Sequence, residues 1–170
     1  MWRKPGERFK GRNVVNQIQG KGGSVHFSGA IWKGGRSRLR CLKRSVNSQT
    51  YVTLLKDLFE NETPVDFKFQ DDNNAPPHRS SIVRAFHEER VTPTMKWAAQ
   101  SPDLKPIEHV WDLLGRKVRD GPALPDLTSL ECAVMREWSL MSQEFVDKLI
   151  DSMPRRIGAV IVAKVGHTRY

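Results

Sequence analysis

The chain has 170 residues, 38% of them hydrophobic and 28% charged, with a formal net charge of +9. That length suits a single domain with a core of its own, and the composition is globular rather than disordered. No apolar run nears the ~18–20 residues of a membrane span, and the basic start, MWRKPGERFK, lacks the apolar stretch of a signal peptide.

The positive charge is concentrated at one end. Residues 1–50 carry twelve Lys or Arg against one acid, Glu7, a net +11, so the other 120 residues sum to −2. A one-sided basic surface is the footprint of a polyanion binder. Cys41 and Cys132 fit no metal-ligand spacing and read as unbridged thiols in a reducing compartment.

The first 24 residues are basic and Gly-rich, without periodicity. Val25 to Ile31 (VHFSGAI) reads as a short strand interrupted by Gly29, and Gly34-Gly35 as the turn into a second strand. Arg38 to Leu42 (RLRCL) alternates basic and apolar, which predicts a half-buried strand with Arg38 and Arg40 on its wet face. Asn47 or Ser48 caps a predicted helix to about Phe59, with Tyr51, Leu54, Leu55 and Leu58 on one face.

After Pro64, the alternation of Val65, Phe67 and Phe69 with Asp66, Lys68 and Gln70 predicts a strand ending in the pair Asp71-Asp72. Ser80 or Ser81 opens a helix to about Arg90. Val91 to Trp97 contains Pro93 and reads as a short or edge strand.

Pro106 suits the first turn of the next helix, whose inner face is Ile107, Val110, Trp111, Leu114 and Val118, ending at Gly121-Pro122. Two further helices follow, Leu127 to Met141 behind Asp126 and Gln143 to Met153 behind Ser142. Pro154 divides off a last segment, IGAVIVAKV, which reads as helix because Gly166 follows as a stop. Strands first, then alternation, then helices, predict a mixed sheet with helices on its faces.

The chemistry concentrates in two strings. FQDDNNAPPH (Phe69 to His78) places acids at a strand end. QSPDLKPIEHVWD (Gln100 to Asp112) places Glu108 in the first turn of a helix, where the macrodipole favours negative charge. By itself Glu108 is an ordinary first-turn acid. His78 and His109 flank these acids and read as polar neighbours or contacts to a polyanion, since hard metals take oxygen and do not need imidazole.

Six strings in order, WRKPGERF, GGSVHFSGAI, VNSQTYVTLL, FQDDNNAPPH, AQSPDLKPIEHVWD and SMPRRIGAVIVAKVGHTRY, resemble mariner-type transposases of the Tc/mariner superfamily along nearly the whole chain. The resemblance implies an α/β, ribonuclease H-like mixed sheet flanked by helices, and a nuclear enzyme of DNA transposition and integration. It implies three acids holding Mg²⁺ or Mn²⁺, with transposon ends and target DNA as partners, no membrane, and a homodimer as an assembly it allows.

Carried over residue by residue, the second acid falls on Asp72 and the third on Glu108, both as metal ligands. The family string runs D-N-A-P where this chain has D-N-N-A-P. Asp72 leaves 35 residues before Glu108, whereas Asn73 restores about 34, the family spacing. The contiguous F-Q-D-D-N match favours Asp72, and Asn73 stays open as the rival. Lys105 stands where the family commonly has Asn. The family's first acid and first, central strand precede WRKPGERF, so residues 1–170 read as one partial catalytic domain without them and without the helix-turn-helix domains. The expectation is a transposase fragment inactive alone, meeting DNA through Arg36, Arg38, Arg40, Lys43 and Arg44. The alternative is a non-catalytic DNA-binding or protein-binding module derived from a transposase.

Overall fold

A computed structural model describes residues 24–42, 46–71, 76–95 and 104–162. The first basic segment folds into two small antiparallel ladders. Strand β1 (His26–Ser28) pairs with β4 (Arg40–Leu42), and β2 (Ile31–Trp32) pairs with β3 (Gly35–Arg36). Lys33-Gly34 closes the second pair, and Gly34 takes φ +84°, a left-handed conformation that glycine adopts without steric cost.

The expected single strand over Val25 to Ile31 is thus two strands that break at Gly29. The physical reason is Trp138. A Cβ on Gly29 would lie 2.9 Å from its ring, so the chain approaches the indole only because no side chain intervenes. Ser37 completes the corner. Its hydroxyl accepts from the Ala30 N–H at 2.8 Å, and its carbonyl accepts from the Trp138 indole N–H at 3.0 Å.

Among the described residues six α-helices follow: α1 (Ser48–Asn61), α2 (Ser81–Glu89), α3 (Pro106–Arg119), α4 (Leu127–Leu140), α5 (Gln143–Asp151) and α6 (Met153–Val162). Four start at polar caps. Asn47, Ser80, Asp126 and Ser142 each accept a backbone N–H three residues on, satisfying a donor that the helix itself leaves unpaired. Pro154 lies in the first turn of α6 instead of dividing it from what precedes, because proline's missing N–H has no intrahelical partner to lose there.

Two apolar clusters hold the layers. Leu39, Val110, Leu114, Trp138, Met141 and Val146 are buried together under the first ladders, with Trp111 stacked on Trp138 at 5.6 Å. Tyr51, Val52, Leu55, Val83 and Phe86 form the other, where α1 meets α2, and Phe69 packs against it.

Among the described residues, the predicted strand from Val65 pairs through one parallel bridge, Phe69 to Thr94. Phe69 donates to the Pro93 carbonyl and accepts from Met95, both at 2.8 Å. Val65, 98% exposed, has nothing to pack on. Alternation fixes which way side chains point, but a ladder also needs a neighbouring strand of matching length. Val91, expected in a strand, instead ends α2 with φ +52°. The Thr92 N–H reaches back to the His87 carbonyl at 2.9 Å, the hydrogen bond of a helix stop usually built on glycine. Cys41 and Cys132 are not disulfide-bonded. Among the described residues no helix is long and apolar enough to cross a membrane.

Candidate functional site

Pro106 opens α3, and Lys105 before it is extended, buried and without a side-chain cap bond. Ile107 and Val110 turn inward to the first cluster. Packing on that side leaves Glu108, in the same first turn, exposed to solvent. The strand end meets this helix start directly. The Gln70 side-chain amide donates to the Leu104 carbonyl at 3.0 Å. Asp72 and Asn73, the rivals for the second acid, lie outside the described residues, as do Lys43 and Arg44. Glu108 is the hard oxygen donor type that Mg²⁺ or Mn²⁺ takes. Among the described residues no group of three or more His, Cys, Asp or Glu is arranged to hold a metal.

Asp71, the neighbour of Gln70, points the other way, towards α1 and α2. Its Oδ1 accepts from the Tyr51 hydroxyl at 2.5 Å and from His78 Nδ1 at 2.6 Å. His78 lies on the 3-10 turn Pro76–Arg79, its ring against Tyr51 with centroids 3.8 Å apart. His87 Nε2 stands 3.8 Å from Oδ2, near enough for charge but too far for a hydrogen bond. Neither His87 ring nitrogen has a hydrogen-bond partner among the described residues. Burial opposes ionisation of Asp71, but His78, His87 and Tyr51 outweigh it and hold the carboxyl well below the usual carboxylate range. Because an ionised carboxylate only accepts, His78 carries a proton on Nδ1.

Sequence reasoning passed over Asp71, although its signal was present. Phe67 and Phe69 set the odd positions inward, and Asp71 continues that parity.

Behind Glu108, His109 turns towards α6. Arg156 is buried, and its guanidinium lies 2.6 Å from Ser152 Oγ through Nε and 2.6 Å from His109 Nε2 through Nη1. This residue was also missed. Met153, Arg156 and Val160 share helical spacing on the inner side of α6, so the arginine occupies a core position.

The basic strands are knitted into the fold. Arg36 donates to the Ser139 carbonyl at 3.1 Å. Arg40 pairs with both Asp57 and Glu62 from α1 and its C-cap, its side chain 18% exposed. Burial works against the Arg40 charge, and the two acids more than restore it. Arg38 meets the same acids from the rim with its side chain 71% exposed. The expected wet face therefore holds Arg38, whereas Arg40 is drawn inward by its acids.

A model of the DDE superfamily endonuclease family matches residues 1–131. The chain is 32% identical to the transposable element Tc1 transposase of Caenorhabditis elegans, over 97% of this chain and 61% of that protein. It is 30% identical to the Tcb2 transposase of Caenorhabditis briggsae over the same shares. It thus spans about three-fifths of the length of these curated relatives. Among solved structures, the Mos1 transposase catalytic domain with raltegravir and Mg superposes with a TM-score of 0.70 at 19% identity, covering 85% of this chain and 77% of that one. The Mos1 paired-end complex with the left transposon end gives 0.77 at 20% identity, covering 99% and 51%. These superpositions identify the fold as the ribonuclease H-like one of the Mos1 catalytic domain, with few strands in the described part. With 131 of its residues matched, the chain belongs to the DDE superfamily endonucleases, in their Tc/mariner transposase branch.

Proposed function

We propose that these 170 residues carry the second and third acids of a DDE catalytic domain, Asp72 and Glu108, and serve DNA cleavage and strand transfer in transposition. The observation that carries this reading is the meeting of a strand end with a helix start. Gln70 reaches the Leu104 carbonyl, and Glu108 stands exposed one turn further on. Side chains alternate along a strand. Asp71 faces α1 and α2 while Gln70 faces α3, and this alternation is the ground on which we choose Asp72 over Asp71 as the site acid. Mg²⁺ or Mn²⁺ held by Asp72 and Glu108 would polarise a phosphodiester and activate water.

The first acid of the family has no counterpart in residues 1–170, and two acids are too few for a pair of ions. The polypeptide tested by itself therefore binds DNA without cutting it. Arg36, Arg38, Arg40, Lys43 and Arg44 are the proposed contacts, with Arg38 the most available. The paired-end assembly of Mos1 supports a homodimer on DNA as the working form, and the nucleus is the proposed compartment.

The test uses the purified 170-residue protein, labelled element-end DNA and Mg²⁺ or Mn²⁺. Expected are salt-sensitive binding and no nicking. Robust Mg²⁺-dependent nicking that Glu108→Ala abolishes would refute the inactivity. Binding indifferent to salt would refute the DNA role.

A further inference from the structure

Arg156 is a cation only 4% exposed, on a helix that follows the family-matched residues. A buried guanidinium is tolerated only where acceptors meet it. Two of its acceptors come from different places. Ser152, one turn back at the end of α5, takes Nε at 2.6 Å and steadies the guanidinium from its own side of the fold. Nη1 then reaches across to His109 Nε2, also at 2.6 Å. Arginine donates and never accepts, so His109 must offer the lone pair of Nε2 and carry its proton on Nδ1. His109 follows Glu108 in the first turn of α3. On α6 Ile157, Ile161 and Val162 are exposed, and the apolar residues beside Arg156 on the inner side, Met153 and Val160, are half-buried. The Arg156–His109 bond joins α6 directly to the start of α3.

We propose that Arg156 is a positioning residue for Glu108: by gripping the His109 ring it holds the first turn of α3, and the acid on it, in one direction. The proposal rests on reading Glu108 as a site acid. It assigns a role at the site to a helix outside residues 1–131.

The experiment uses the ¹⁵N-labelled 170-residue protein, with Mn²⁺ as the metal probe. Nitrogen-15 correlations of the imidazoles report which nitrogen of His109 holds the proton, and amide exchange at Glu108 reports how firmly the first turn is held. The wild type is expected to show the Nδ1–H form. Arg156→Met is expected to move His109 to the Nε2–H form and to speed exchange at Glu108. Arg156→Lys, able to keep one of the two bonds, falls between, and it decides the matter should the methionine variant fail to fold. In a His109→Leu background Arg156→Met should add nothing, whereas a merely structural role would add to it. An unchanged His109 tautomer, or additive effects on Glu108, would overturn the proposal. Broadening of Glu108 signals by Mn²⁺ tests the underlying reading separately. Where it occurs, Arg156→Met should weaken Mn²⁺ binding about tenfold. If wild-type protein shows no broadening, the metal reading fails, while tautomer and exchange still decide on Arg156.

Discussion

Replacing Asp71 by alanine removes the carboxylate that Tyr51 and His78 both donate to. A hydrogen bond to a charged group contributes ~1.5–3 kcal/mol, and a buried donor left without a partner costs ~1–3 kcal/mol. The two bonds share Oδ1, so they do not add fully, and about 3–5 kcal/mol is expected for Asp71→Ala. Asp71→Asn keeps an Oδ1 that can accept both donors but loses the charge, for which about 1–2 kcal/mol is expected. Against a total stability of ~5–15 kcal/mol the first change is severe, and the second stays measurable. The pH dependence follows from the sign of the shift. Asp71 ionises more readily folded than unfolded, so the folded state binds fewer protons at this position. Its contribution is complete above the unfolded carboxylate value near ~4 and is lost as pH falls below it. Urea denaturation followed by tryptophan fluorescence, at pH 7 and again below pH 4, measures both effects. The gap between wild type and Asp71→Asn should narrow in acid. An Asp71→Ala loss under about 1 kcal/mol at unchanged m-value, or a gap that widens in acid, would refute the account.

Val91→Gly should stabilise the protein by about 1 kcal/mol, because a β-branched residue is held at φ +52° and its exposed side chain packs on little; chemical denaturation checks this. Gly29→Ala should cost about 1–3 kcal/mol, since the added Cβ meets the Trp138 ring, with a change in tryptophan emission as the accompanying signature. Arg40→Ala leaves Asp57 and Glu62 without their inner partner and should cost about 2–3 kcal/mol, read as a lower denaturation midpoint. Arg38→Ala should leave stability within about 0.5 kcal/mol and reduce the salt slope of DNA binding by about 1, measured by titration at several salt concentrations.

The helices were legible because their signals are local. Asp126 and Ser142 are caps in the structure, as their place before apolar periodic runs implied, and of the pairs Asn47 or Ser48 and Ser80 or Ser81 the structure uses Asn47 and Ser80. What the sequence hid was everything that depends on distant partners. The positive charge of Arg40 was plain, but its engagement depends on acids of α1 and its C-cap, which sequence periodicity does not bring to it. The period-two run at Val65 to Gln70 was plain as well, but among the described residues it pairs only at Phe69, in a single bridge to Thr94. Trp138 governs the break at Gly29 from more than a hundred residues away, a contact no local pattern encodes.

The two adjacent acids show how pattern and motif answer different questions. Resemblance selects Asp72 because it searches for chemistry. It is silent on Asp71, which differs from its neighbour only in parity. Parity, in contrast, says nothing of chemistry, but it sends Asp71 to the same side as Phe69, where an acid is tolerated only with donors already waiting. Tyr51 and His78 are those donors, one from α1 and one from the 3-10 turn beyond residues 72–75. Asp71 thus fixes the strand end to its helices and does not turn to the side where α3 begins. Gln70, bonded to the Leu104 carbonyl, already marks that second side. Asp71 is already committed to Tyr51 and His78, which leaves Asp72 as the acid that we propose for the site.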